Sequence, residues 1–255
     1  MVKIWHYTSQ EAALNIVSTM KLRLTRQDFL DDGNEFRYYQ RVAKKIEKDF
    51  PHSSTAHDYA DFISTRETLF LNPNRTFIAC FSKDGDDVSQ WERYADMGRG
   101  VALGFDASKL DIREVSYENE ERVLQHIKSN LEKYKDDSVG FHNFINPFNE
   151  ITKQSHYSSE KEVRVCKREK DIKKQLFFSR KDTICPYVHL DIQPNTLIEL
   201  RLGPRARDNS QFAWRDYLDP NFSSNNAGVY RDWTDRSLDK VTIKISKSDC
   251  ILHHR

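Results

Sequence analysis

The stretch Glu160-Lys161-Glu162-Val163-Arg164-Val165 alternates charged and apolar residues with a period of two. That is the signature of a strand with one buried face, and it fixes which side chains share a side. Glu160, Glu162 and Arg164 project together, and Val163 and Val165 face a core. Two carboxylates and a guanidinium on one ledge can hold a polar ligand or stabilise developing positive charge. The same pattern also describes a surface ion-pair ladder, which contributes little to stability.

Around that strand the other elements fall at irregular intervals. Val2 to Thr8 reads as a first strand, Ser9 as the N-cap of a helix with Ala12, Ala13, Ile16, Val17 and Met20 on its apolar face, and Lys21 to Arg26 as a second strand. Helices follow near Asn34 to Phe50 and from about Thr55 to Phe70, where Asn72-Pro73-Asn74 breaks the pattern. Thr76 to Phe81 is a strongly apolar strand, Val88 to Ala95 a short helix and Val101 to Phe105 another strand. Phe177 to Asp191 supplies one or two strands, Leu197 to Leu202 another, Ser210 to Leu218 a helix and Val241 to Ser246 a closing strand. Asn221 to Gly228 reads as a loop. This order does not fit a regular βαβ repeat. It predicts an α+β fold with mixed or antiparallel central sheets flanked by helices, as one domain over 1–255 with a helical elaboration at about 118–155.

Composition narrows the class. The 255 residues are 38% hydrophobic, and 31% charged residues nearly cancel to a net charge of +1, which argues against a strongly nucleic-acid-seeking or membrane-surface protein. The start of the chain lacks a signal-peptide apolar run, and no uncharged apolar run is long enough to span a bilayer. Cys80, Cys166, Cys185 and Cys250 form no Cys-x-x-Cys pair, as expected of reduced thiols in a cytoplasmic protein. Gly-rich phosphate loops, zinc-ligand spacing and a nucleophile elbow are all absent from the sequence.

Several short constellations carry chemistry. His6-Tyr7-Thr8 closes the first strand, where a His can hydrogen-bond a ribose or act as acid or base; on local evidence alone a half-buried His bonded to the backbone is the better fit. Cys80-Phe81-Ser82 ends the apolar strand, and Trp91 and Tyr94 share a face of the next helix. The two rings can stack a planar ligand or cover the sheet as core. Asp31, Asp32, Asn34 and Glu35 form an acidic cluster without the spacing of a calcium-binding loop, and a helix N-cap explains most of it.

In order, these motifs resemble a bacterial family of uncharacterised proteins, domain of unknown function 2971. The shared segments are His6-Tyr7-Thr8, the loop Asp28 to Glu35, Cys80-Phe81-Ser82, Trp91 to Ala95, Gly100 to Phe105, Glu160 to Arg164 and Leu202-Gly203-Pro204. Departures are Leu30 in place of Asn, Gly33 in place of Pro, and Tyr157 where a Trp commonly precedes the charged strand.

A more distant resemblance is to ADP-ribosyltransferases of the diphtheria-toxin-like kind. It implies NAD as substrate and either transferase or glycohydrolase activity, as in a toxin or defence effector. It assigns Glu162 to the ribose hydroxyl and the oxocarbenium-like charge, Glu160 to the acceptor, and His6 to the adenosine ribose. Tyr94 stacks nicotinamide, Ser82 takes its carboxamide, Tyr7, Thr8 and Trp91 complete the binding site, and Arg164 orients the acids. No resident metal is implied, and a protein or nucleic-acid acceptor stays open. Two other readings stand beside it: a non-catalytic nucleotide- or protein-binding module, and a metal-dependent nucleic-acid enzyme using Asp31, Asp32 and Glu35.

Overall fold

A computed structural model describes residues 2–30, 33–64, 75–135, 137–180, 183–218, 227–230 and 241–250. The strands are β1 (Lys3–Thr8), β2 (Lys21–Arg26), β3 (Arg75–Ser82), β4 (Val101–Asp106), β5 (Ile112–Glu114), β6 (Ser116–Glu118) and β7 (Thr152–Gln154). They continue with β8 (Glu162–Glu169), β9 (Leu176–Arg180), β10 (Thr183–Asp191), β11 (Leu197–Leu202), β12 (Ala227–Tyr230) and β13 (Val241–Lys247). The helices are α1 (Gln10–Thr19), α2 (Gly33–Asp49), α3 (Ser54–Ser64), α4 (Val88–Tyr94), α5 (Glu120–Leu131), α6 (Ser138–Ile151) and α7 (Asp208–Leu218).

The fold is α+β. Its main sheet runs β12-β13-β11-β4-β1-β3-β2-β10-β9, with β8 and β5 joined to it through β3. Neighbours are antiparallel except β11 and β13, and β6 and β7 form a separate parallel pair. The apolar strand β3 is the hub: β8 lies along its whole length, from Arg75 opposite Glu169 to Ser82 opposite Glu162. Phe77, Ala79, Phe81, Val163 and Val165 enter the largest core with Ile16 and Val17 of α1 and Trp214 of α7. Helices α2, α3, α5 and α6 enclose a second core around Val42, Ile46, Tyr59, Ile127, Phe141 and Ile145.

Two differences from the sequence expectations concern local backbone. The charged strand begins at Glu162 and not at Glu160, because Glu160 ends a 3-10 turn (Ser155–Glu160) and Lys161 takes a left-handed conformation, φ 47°. That turn is pinned by Lys161 N donating to Ser158 O and by Lys83 N donating to Lys161 O. Ala227 and Gly228, expected in a loop, open β12; residues 221–226 lie outside the described residues. Helix α3 is described to Ser64, and the expected continuation to Phe70 also lies outside them.

Candidate functional site

The same edge of β3 receives two strands. β1 meets it only at Trp5 opposite Ser82, and β2 only at Thr25 opposite Ile78 and Arg26 opposite Phe77. Between those contacts β1 and β2 diverge, and a cavity of about 340 Å³ occupies the gap. Its floor is Ile78 to Phe81 of β3, and its walls are His6 and Thr8 on one side and Arg23 and Thr25 on the other. Ala12, Asn15 and Ile16 of α1, the helix linking the two strands, close one end; Gln90, Arg93 and Tyr94 of α4 close another.

His6 fits this gap for a backbone reason. A β3 carbonyl with no strand opposite it needs a donor, and His6 Nδ1 lies 3.0 Å from Cys80 O. A carbonyl only accepts, so Nδ1 carries the proton. Burial lowers the pKa of the ring, so at neutral pH the imidazole is uncharged and Nε2 is an acceptor. In any hydrogen bond at Nε2 the partner hydroxyl therefore donates.

Behind Cys80 lies a buried charge network. Lys153 Nζ of β7 donates to Glu160 Oε2 at 2.7 Å and Glu162 Oε2 at 3.2 Å. Arg164 Nε donates to Glu162 Oε1 at 2.7 Å, and Arg93 Nη1 to Glu160 Oε1 at 2.7 Å. The backbone N of Glu162 donates to Tyr117 Oη, and Arg164 Nη1 donates to Glu150 O, which fixes β8 against β6 and α6. Burial by itself raises the Glu162 pKa, but Arg164 and Lys153 outweigh it and hold the carboxyl down to about 2. Glu162 is therefore an ionised acceptor and not a proton donor. The Cys80 thiol hydrogen-bonds this carboxylate, and burial, then Glu162, pushes its pKa well up, so it is no thiolate nucleophile.

The aromatic residues separate. Tyr94 lines the cavity and is half-buried; its hydroxyl has no hydrogen-bond partner among the described residues. Burial, then Glu160, raises its pKa, so it stays a neutral phenol. Trp91 is fully buried, donates from Nε1 to Asp86 Oδ1 at 2.8 Å and packs edge-on against Tyr7. It is core, so its assignment to ligand binding is corrected. Ser82 is corrected as well: it does not line the cavity, because its hydroxyl donates to Glu160 O at 2.8 Å and accepts from Asp84 N at 3.0 Å. Tyr7 borders the space, but its hydroxyl is held between Asp84 O and Asp87 N. Thr8 lies on the rim. Arg164 has an orienting position, bonded to Glu162 and fully enclosed.

Side-chain alternation adds a constraint. His6 leaves β1 on the side of Ile4, which belongs to the largest core, whereas Trp5 and Tyr7 leave on the other. Val163 and Val165 occupy that core, so Glu162 and Arg164 leave β8 on the opposite face. His6 and Glu162 thus start from opposite faces and border one space because the sheet is open between β1 and β2.

Lys153, Arg93, Gln90 and Arg23 were not singled out from sequence. Only Arg23 left a visible sign there, as the polar side of the alternating Lys21 to Arg26 strand. Asp31 and Asp32 lie outside the described residues, as do the side chains of Asn34 and Glu35. Among the described residues no group of three or more His, Cys, Asp or Glu is arranged to hold a metal ion, and no helix is long and apolar enough to cross a membrane.

Residues 90–165 match the family model described as Protein of unknown function (DUF2971). The matched stretch runs from α4 into β8 and contains Tyr94, Lys153, Glu160, Glu162 and Arg164; the segments at His6, Asp28, Cys80 and Leu202 lie outside it. No curated protein and no solved structure matches the chain.

Proposed function

We propose that this chain, whose residues 90–165 match the DUF2971 family model of proteins of unknown function, is an enzyme that opens the nicotinamide–ribose bond of NAD. The observation that carries the reading is the convergence of Tyr94, Glu162 and His6 on one cavity in a split sheet. Breaking that bond builds positive charge on the ribose ring, and an ionised carboxylate beside it stabilises the charge. Glu162 is held ionised by Arg164 and Lys153 and accepts a ribose hydroxyl in the complex. The Tyr94 ring stacks the nicotinamide. Gln90, buried and facing the same space, takes over the carboxamide contact that Ser82 cannot make. His6 Nε2 accepts from the second ribose across the gap, and Glu160 orients the acceptor, which is water or another molecule.

A second reading, nucleotide binding without turnover, is favoured by the charge count of the network. Arg93, Lys153 and Arg164 outnumber Glu160 and Glu162, so a cationic centre there is less stabilised than beside an unpaired carboxylate.

The test is release of nicotinamide from NAD labelled in the nicotinamide ring. The wild-type protein is expected to release it, and Glu162→Gln is expected to release less than about 1% as much, the loss of one preorganised charge. Tyr94→Ala serves as the companion variant, since Tyr94 bonds to nothing that Glu162 holds. Binding of NAD with no release by the wild type, with or without protein acceptors, sinks the enzyme reading in favour of the second.

A further inference from the structure

The wall of the cavity opposite His6 carries a cation, Arg23, with no acidic partner among the described residues. Arg23 of β2 has its guanidinium carbon 5.1 Å from the Phe178 ring centre and 5.6 Å from that of Tyr187. These are cation–π contacts with two rings and use none of the N–H donors in a hydrogen bond. Among the described residues no carboxylate meets Arg23, and no hydrogen bond uses its donors. The other arginines reaching the cavity are engaged: Arg93 and Arg164 bind the two glutamates, and Arg180 donates to Phe29 O.

The surroundings reinforce that charge. His189 stands directly opposite Arg23 on β10, and burial, then the charges of Lys21 and Arg23, lower its pKa. A neutral imidazole beside an unmatched guanidinium receives an anion without competing for it. The antiparallel register of Thr25 with Ile78 puts Arg23 level with Cys80 on one edge of β3, and Glu162 stands opposite Ser82 on the other edge. Two residue steps of β3, roughly 7 Å at about 3.3 Å per residue, and the width of the strand separate them.

We infer that Arg23, held on Phe178 and Tyr187, is the phosphate-binding group of this cavity, so that the ligand is a phosphorylated nucleotide lying along the β3 floor. The inference rests on the NAD reading for the identity of the ligand's other end, and on the position of Arg23 for its anionic part. A guanidinium, with its donors in one plane, suits two phosphate oxygens better than an ammonium does.

Calorimetric titration of wild type, Arg23→Gln and Arg23→Lys with inorganic pyrophosphate, ADP-ribose and nicotinamide riboside tests it. Removing a charge-assisted contact is expected to weaken pyrophosphate and ADP-ribose about tenfold or more in Arg23→Gln, with partial retention in Arg23→Lys. Affinity for the riboside, which has no phosphate, stays unchanged, as does the unfolding midpoint. Unaltered ADP-ribose affinity in Arg23→Gln, or an equal loss for the riboside, overturns the assignment, and so does a wild type that binds neither phosphorylated probe. Arg23-dependent pyrophosphate binding by a protein that releases no nicotinamide keeps the phosphate site and discards the NAD chemistry.

Discussion

Lys153→Met removes a side chain that touches both glutamates. Lys153 is 3% exposed, and its Nζ sits between Glu160 Oε2 and Glu162 Oε2. Without it Glu162 keeps Arg164, and Glu160 keeps Arg93, whose side chain is half exposed. Two buried carboxylates then face each other with less positive charge between them. Breaking a buried ionic network from one side costs about 3–5 kcal/mol, because the remaining charges stay desolvated. For a chain of this size that lowers the melting temperature by roughly 6–20 °C.

The pH dependence gives a second signature of the same change. The folded pKa of Glu162 is about 2, against an ordinary value of 4.5. A carboxyl depressed in this way contributes stability that is fully present above about pH 4.5 and is lost as pH falls toward 2. That contribution is about 3 kcal/mol in the wild type. In Lys153→Met the pKa moves back toward 4.5, so the acid-driven loss between pH 4.5 and pH 3 becomes shallower. Urea unfolding of both proteins at pH 7, 4.5 and 3 reads both effects. A loss under about 1 kcal/mol at pH 7, or the wild-type acid slope in the variant, would refute the role given to Lys153.

Other consequences follow from the same geometry. Trp91→Ala is expected to cost about 3–5 kcal/mol in chemical unfolding, since it empties a fully buried site and removes one of the two donors to Asp86 Oδ1, Ser248 Oγ remaining, whereas Tyr94→Ala costs less and lowers NAD binding. A Trp91→Ala protein as stable as wild type contradicts its placement in the core. His6 has a folded pKa below 6.5, so the unfolded chain takes up its proton first and stability falls as pH drops below about 6.5. Unfolding midpoints between pH 7.5 and 5.5 are expected to slope less in His6→Asn, and parallel slopes would count against a neutral His6. Gly85→Ala sets a methyl 2.2 Å from the Trp5 indole, so a marked fall in melting temperature is expected, and none would show that the ring moves freely.

Much of the fold was legible because strands with one buried face announce themselves by alternation. Lys21 to Arg26, Phe77 to Phe81 and Val163 to Val165 all lie in strands, with the apolar members in the core. What alternation does not carry is pairing. That β1 and β2 share one edge of β3 and part in its middle depends on contacts between residues more than fifty positions apart. The gap could therefore not be read, although the residues around it could. Glu160 and Glu162 were singled out through a strand register that Lys161 interrupts; they meet at Lys153 instead, whose sequence neighbours Thr152 and Gln154 give no hint of burial. Ser82 looked like a ligand contact because of its hydroxyl, and Trp91 because its ring shares a helical face with Tyr94, while their polar atoms are already spoken for. The fold uses those atoms on Glu160 O and Asp86, which only the tertiary structure reveals.

The most direct measurement is a crystal structure of the protein with an uncleavable NAD analogue, in which carbon replaces the ring oxygen of the nicotinamide ribose. The account predicts the analogue in the gap between β1 and β2, with its nicotinamide against Tyr94, a ribose hydroxyl on Glu162 and its pyrophosphate at Arg23. An analogue bound elsewhere on the molecule, or a gap that stays closed to it at saturating concentration, would contradict the account.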